Sequence, residues 1–170
     1  MLSRNNAHFE ELERIGAEYE ERKHALEERK QEIIDTYGWD SDELKAWYKE
    51  KGEMTYPIEA GACKAYRAWM HTIEREEDEV DMNDFLWDRE VEDFVDTLRK
   101  AGIESFIYTN QSTAVMENLH GFTAAGCKME GLCKIERTER RFGENRTEEI
   151  LGIRFSLLEG RTAKWQAEQG

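Results

Sequence analysis

Apolar residues recur along the chain with two different periods, and the change of period divides it. From about Asn6 to Asp35, Leu12, Tyr19, Leu26 and Ile33 stand seven apart, with Ile15 half a repeat after Leu12, which predicts one long helix. Acid-first pairs four apart, Glu10 with Arg14 and Glu18 with Arg22, support it. The next half-repeat positions are Arg22 and Arg29, so only half of the seam is apolar. Gly38 is the expected stop, and Asp40 with Glu43 forms a capping pattern for a second helix carrying Leu44, Trp47 and Tyr48 that Gly52 closes. Pro57 suits a first helical turn, and Ala62, Tyr66, Trp69, Met70 and Ile73 give a third helix its stripe.

Beyond Met82 the pattern changes. A fourth helix over about Asn83–Lys100 is expected to bury Trp87, Val91, Phe94, Val95 and Leu98 and to stop at Gly102. Ile103–Thr109 is short, β-branched and aromatic, which predicts a strand. Asn110 to Thr113 supply a turn and a cap, Ser112 or Thr113, for a fifth helix with Val115, Met116, Leu119 and Phe122. Then Cys127, Met129, Cys133 and Ile135 alternate with Lys128, Glu130, Lys134 and Glu136, a half-buried strand, and Leu151, Ile153, Phe155 and Leu157 mark a third strand. The last two form an antiparallel hairpin, and the first two, joined by a helix, run parallel. The fold class is thus α+β: a helical segment over 1–82, a helix-strand-helix-strand-strand module with a three-stranded mixed sheet over 83–158, and a polar tail over 159–170.

Charge narrows the function. The 170 residues hold 24 Lys+Arg against 38 Asp+Glu, a net charge of −14, which argues against general nucleic-acid binding because affinity for a polyphosphate comes from displacing its counterions with protein cations. No apolar run approaches the ~18 residues of a membrane span, and no apolar leader opens the chain, so a cytoplasmic protein is expected, with no membrane partner. Three cysteines suit a reducing compartment.

Candidate chemistry is sparse. His8, His24, His71 and His120 form no helical pair with metal-ligand spacing, and Cys127 and Cys133 stand ~20 Å apart along a strand, so no metal or other cofactor is expected. Ser112 and His120 lie ~12 Å apart along a helix, too far for a nucleophile and its base. Asn110, Ser112 and Thr113, at the carboxyl end of a strand and the amino end of a helix, make a possible anion site, and an enzyme or small-ligand sensor using Tyr108–Thr113 is the alternative function. The strongest anomaly is acidic. Glu74–Asp96 carries twelve acids against Arg75 and Arg89. Glu74, Glu76, Glu77, Asp78, Glu79, Asp81, Asp84, Asp88 and Glu92 are the candidate partner-binding residues, either a solvated face or an anchor for a basic groove. The hairpin arginines Arg137, Arg140, Arg141, Arg146 and Arg154 are the matching basic patch, an internal or intersubunit counterpart or a separate anion site.

The stretch Phe94-Val95-Asp96-Thr97-Leu98-Arg99-Lys100-Ala101-Gly102-Ile103, continued by Gln111-Ser112-Thr113, Leu119-His120, Gly126-Cys127 and Gly131-Leu132, resembles a small uncharacterised α/β domain in short proteins of bacterial phages and mobile elements. The resemblance covers about half the chain, at turn and core positions. It implies a mobile-element setting in which small acidic proteins inhibit host nucleases, anti-CRISPR proteins among them. The leading expectation is therefore a non-enzymatic inhibitor that binds a basic protein or nucleoprotein complex, a CRISPR effector being one such, through its acidic run. A helix of ~30 residues spans ~45 Å, more than a compact domain covers, so a homodimer through Leu12, Tyr19, Leu26 and Ile33 is also expected.

Overall fold

The computed structural model describes residues 2–111, 113–141 and 143–158, and the tail expected over 159–170 lies outside them. The elements run α1 (Ala7–Tyr37), α2 (Asp42–Glu53), α3 (Ala60–Glu74), β1 (Val80–Met82), α4 (Asp88–Lys100), β2 (Ser105–Tyr108), α5 (Val115–Ala124), β3 (Lys128–Arg141) and β4 (Glu144–Ser156). They form two compact units, one of residues 1–9 and 59–170, the other of residues 10–58, and the boundary expected at 82/83 falls inside the first.

In the smaller unit, α2 covers the stripe of α1. Leu26, Leu44 and Trp47 make its core, with Ile33, Ile34 and Met54 packed against them, and Trp47 Nε1 donates to the Leu26 carbonyl at 2.7 Å. Tyr19 meets Tyr56 edge-to-face at 5.0 Å. Arg29, one of the two polar seam positions, pairs with Glu50 of α2, and Lys51 pairs with Glu27. The apolar positions reserved for a twin helix are thus occupied within the chain at Leu26 and Ile33, because α2 returns along α1. Ser41, not Asp40, caps α2 by accepting the Leu44 N–H, and the helix runs one residue past Gly52. Pro57 stands before α3, whose first residue is Ala60, rather than in its first turn.

In the larger unit the sheet has four strands, not three, in the order β1-β2-β4-β3. β1 falls within the segment expected to be helical over 1–82, because three residues among acids show no period. It pairs in parallel with β2, which is antiparallel to β4, and β4 is antiparallel to β3. The parallel crossover is therefore β1-α4-β2; β2 and β3 share a direction, but β4 lies between them. On one face Phe106, Tyr108 and Phe155 meet Phe94 of α4 and Phe122 of α5, with ring centroids 5.0–6.0 Å apart. α3 lies so close to α4 that a Cβ on Gly61 would stand 2.1 Å from the Glu90 carbonyl oxygen. Trp87 is 56% exposed rather than buried, because α4 begins at Asp88 and Leu86 turns inward instead. A bulge between Met129 and Gly131 inserts one residue into β3, so Met129 shares the face of Phe155 while Cys133 and Ile135 share the opposite face with Gly152. That inversion breaks the single alternation expected for this strand.

Candidate functional site

The face of the sheet opposite α4 and α5 carries Asp81, Ile107 and Arg154, which stand side by side on β1, β2 and β4. Asp81 is 2% exposed, a carboxylate in the middle of a strand, and such a group requires compensation. Arg137 of β3 supplies it, donating from Nε to Asp81 Oδ2 at 3.0 Å and from Nη2 to the same oxygen. Arg75, just after α3, adds a contact at 3.3 Å, and the Thr109 hydroxyl donates to Oδ1 at 2.6 Å. The Asp81 backbone N–H goes to the Thr72 hydroxyl of α3, which occupies the outer edge of β1. Beside this cluster Arg154 clasps Glu79 through Nε and Nη2, and the Ser105 hydroxyl donates to Glu79 at 2.6 Å.

The turn over 75–79, entered through Glu76 in the left-handed region at φ 58°, walls a cleft of about 360 Å³ above these groups. Ile107 and Ile135 give it an apolar lining, while Glu76, Glu77 and Asp78 give it carboxylates. Glu77 differs from its neighbours. Its Oε1 is buried with no hydrogen-bond partner, and its nearest cation, Arg75, is 3.9 Å away. Burial, reinforced by the charge of Asp81, pushes the Glu77 carboxyl above the usual carboxylate range against the pull of Arg75 and Arg137. The folded state therefore holds this proton more tightly than the unfolded chain does. Its stabilising effect is complete in acid and is lost as pH rises through the interval up to the raised value. Glu77→Gln is expected to raise the melting temperature at neutral pH and to leave it nearly unchanged in acid. Melts at the two pH values check this, and a variant less stable than wild type at neutral pH would refute it.

The cleft gathers Glu76, Glu77, Asp78, Glu79 and Asp81, and separates them by role: Glu76 and Asp78 are exposed, whereas Glu79 and Asp81 are held by arginines. The hairpin arginines Arg137 and Arg154 are thus the internal counterpart of the acidic run. Glu74 is exposed; Asp84 accepts the Phe85 N–H, and Asp88 and Glu92 lie exposed on α4. In α1, Leu26 is buried and Leu12, Tyr19 and Ile33 are half-buried. Arg75, Thr72 and Thr109 carried no signal in sequence, since nothing local ties them to an acid up to 28 positions away.

At the strand end the described polar side chains bond to one another and to the backbone. The Asn110 amide donates to the Tyr108 hydroxyl and to the Thr113 carbonyl, both at 2.9 Å, and Tyr108 donates to Asn118 at 2.8 Å. Thr113 is exposed and Ser112 lies outside the described residues; the residue at the start of α5 is Ala114, left-handed at φ 56°, with no side-chain cap. Burial raises the thiols of Cys63 and Cys133 and pushes Cys127 up to about 11, the opposite of an activated nucleophile. Among the described residues no group of His, Cys, Asp and Glu converges as metal ligands, and no helix is long and apolar enough to cross a membrane.

A known family matches residues 64–157, more than half of the chain. The chain belongs to the family described as Domain of unknown function (DUF7698). The DUF7698 stretch opens in α3 and closes after β4, so it includes Arg75, Asp81, Arg137 and the whole sheet, and leaves out α2 and α1. No curated protein and no solved structure matches.

Proposed function

We propose that the protein is a non-enzymatic binding module that takes a basic partner protein at the acidic cleft. The observation that carries this reading is the buried Glu77 Oε1, an acceptor without a donor, at the wall of a cleft that also offers Glu76 and Asp78 and an apolar surface of Ile107 and Ile135. A lysine or arginine stem lies against such apolar side chains while its head group meets a carboxylate. Exposed Glu74, Asp88 and Glu92 extend the negative field that steers such a partner. In the finer form of the proposal the protein comes from a phage or mobile element, acts in the cytoplasm, and inhibits a host nucleic-acid-handling complex, a CRISPR effector being one candidate, by covering the basic surface that holds nucleic acid.

Capture from a bacterial lysate at rising salt tests it, using the wild type beside the double variant Glu76→Lys/Asp78→Lys, whose changes lie on exposed positions. A basic or nucleoprotein species held by the wild type at low salt, and lost by the variant, supports the proposal. Equal recovery by both proteins overturns it.

A further inference from the structure

β3 is the outer strand of the sheet, and among the described residues it pairs with β4 alone. After its bulge the register with β4 is regular from Leu132 to Arg141, a run of about 30 Å at the usual rise per residue. An unpaired edge of that length is a template for another strand. The charges on it select which one. Lys134 and Glu136 lie on the same face of β3, and Glu136 stands directly opposite Glu149 of β4. Lys134 is bound to that same Glu149 at 2.5 Å, which sets one lysine beside two facing carboxylates. Like charges directly opposite are unfavourable.

We propose that this edge pairs with β3 of a second copy of the chain, antiparallel, about a two-fold axis through Ile135. Residues opposed in an antiparallel pair share a face, so a two-fold axis normal to the sheet must pass through a residue position and not between two. Centring on Ile135 sets Lys134 opposite Glu136 of the second copy at two equivalent contacts, and sets Leu132, 80% exposed, opposite Thr138. Each Glu136 then faces a lysine that offsets its repulsion from Glu149. The neighbouring centres lack this property. An axis at Lys134 or at Glu136 opposes that residue to its own copy, and an axis at Arg137 sets Lys134 against position 140, also basic. An axis at Leu132 or Cys133 carries the bulge into the pairing. The product is one continuous eight-stranded sheet.

Sedimentation velocity on the full chain over a range of micromolar concentrations tests the proposal, with the 20.0 kDa monomer as reference. A concentration-dependent species of twice that mass is expected. Glu136→Lys sets lysines against one another at both contacts while giving Glu149 a second lysine within its own chain. Its fold is therefore retained, and its dimer dissociation constant rises by about tenfold or more. The swap Lys134→Glu/Glu136→Lys restores the alternation in reverse and with it the dimer. A readout that needs no variant is hydrogen exchange, in which amides of residues 132–138 gain protection as concentration rises. A single 20.0 kDa species at every concentration, or a dimer indifferent to Glu136→Lys, overturns the proposal.

Discussion

Arg137→Met is expected to destabilise the protein by about 3–5 kcal/mol, the usual cost of breaking a buried ion pair from one side. Asp81 cannot recover the loss from water, being 2% exposed. Its remaining cation, Arg75, touches the same oxygen at 3.3 Å, longer than the 3.0 Å contact of Arg137 Nε. Arg137 also donates to the Thr109 hydroxyl at 2.8 Å, so one guanidinium ties the hairpin to both β1 and the end of β2. In sequence register the hairpin overhangs β2, for β2 is matched by β4 only over Ile153–Ser156. Gly152 lets the overhang lie close, since a Cβ there would stand 2.5 Å from Ile107 Cγ2. Urea unfolding measures the loss, and hydrogen exchange should show the far half of the hairpin opening first. A change below about 1 kcal/mol would show that Arg75 and Thr109 satisfy Asp81 unaided. The double variant Asp81→Leu/Arg137→Met is expected to recover most of the loss, because it removes both charges from the interior.

Asn118→Ala is expected to cost about 3 kcal/mol, from groups left unpaired rather than from volume. Asn118 is fully buried on α5. Its Oδ1 accepts from the Leu86 N–H at 2.9 Å and from the Tyr108 hydroxyl, and its Nδ2 donates to the Leu86 carbonyl at 2.6 Å. One side-chain amide thus does for the backbone of Leu86 what a neighbouring strand would do. Truncation leaves the Leu86 N–H, the Leu86 carbonyl and the Tyr108 O–H donor unpaired in a dry interior, although the Tyr108 oxygen still accepts from Asn110, and each lost bond is worth roughly 1–3 kcal/mol before any water enters the space. Thermal or urea denaturation reads the loss. Tyr108→Phe, which removes only one of these bonds, is the graded control and should cost less than half as much. Equal losses in the two variants would mean that the Leu86 backbone finds water.

Elements with a sustained period were legible without coordinates. The seven-residue recurrence of Leu12, Tyr19, Leu26 and Ile33 yields α1, and the stripe of Val91, Phe94, Val95 and Leu98 yields α4, because each face is repeated over several turns. The hairpin was legible for the same reason. β1 was not, since three residues carry no period and only the pairing of Val80, Asp81 and Met82 with β2 makes them a strand. The bulge in β3 was equally hidden, because the extra residue is defined by its partner strand.

For the candidate site, the sequence by itself determined that the surface is acidic, that Glu74–Asp96 concentrates the acids, and that arginines gather on the hairpin. Composition and local density suffice for that. Which acids are held by arginines was decided by the tertiary structure alone. Asp81 and Glu79 face Arg137 and Arg154 from positions 56 and 75 residues away, a separation over which chain pattern holds no information. The same holds for α1, whose apolar stripe announced a need for a partner. Only the return of α2, placing Trp47 on Leu26, decided that this part of the stripe is covered within the chain, because burial depends on which surfaces meet and not on how often leucines recur.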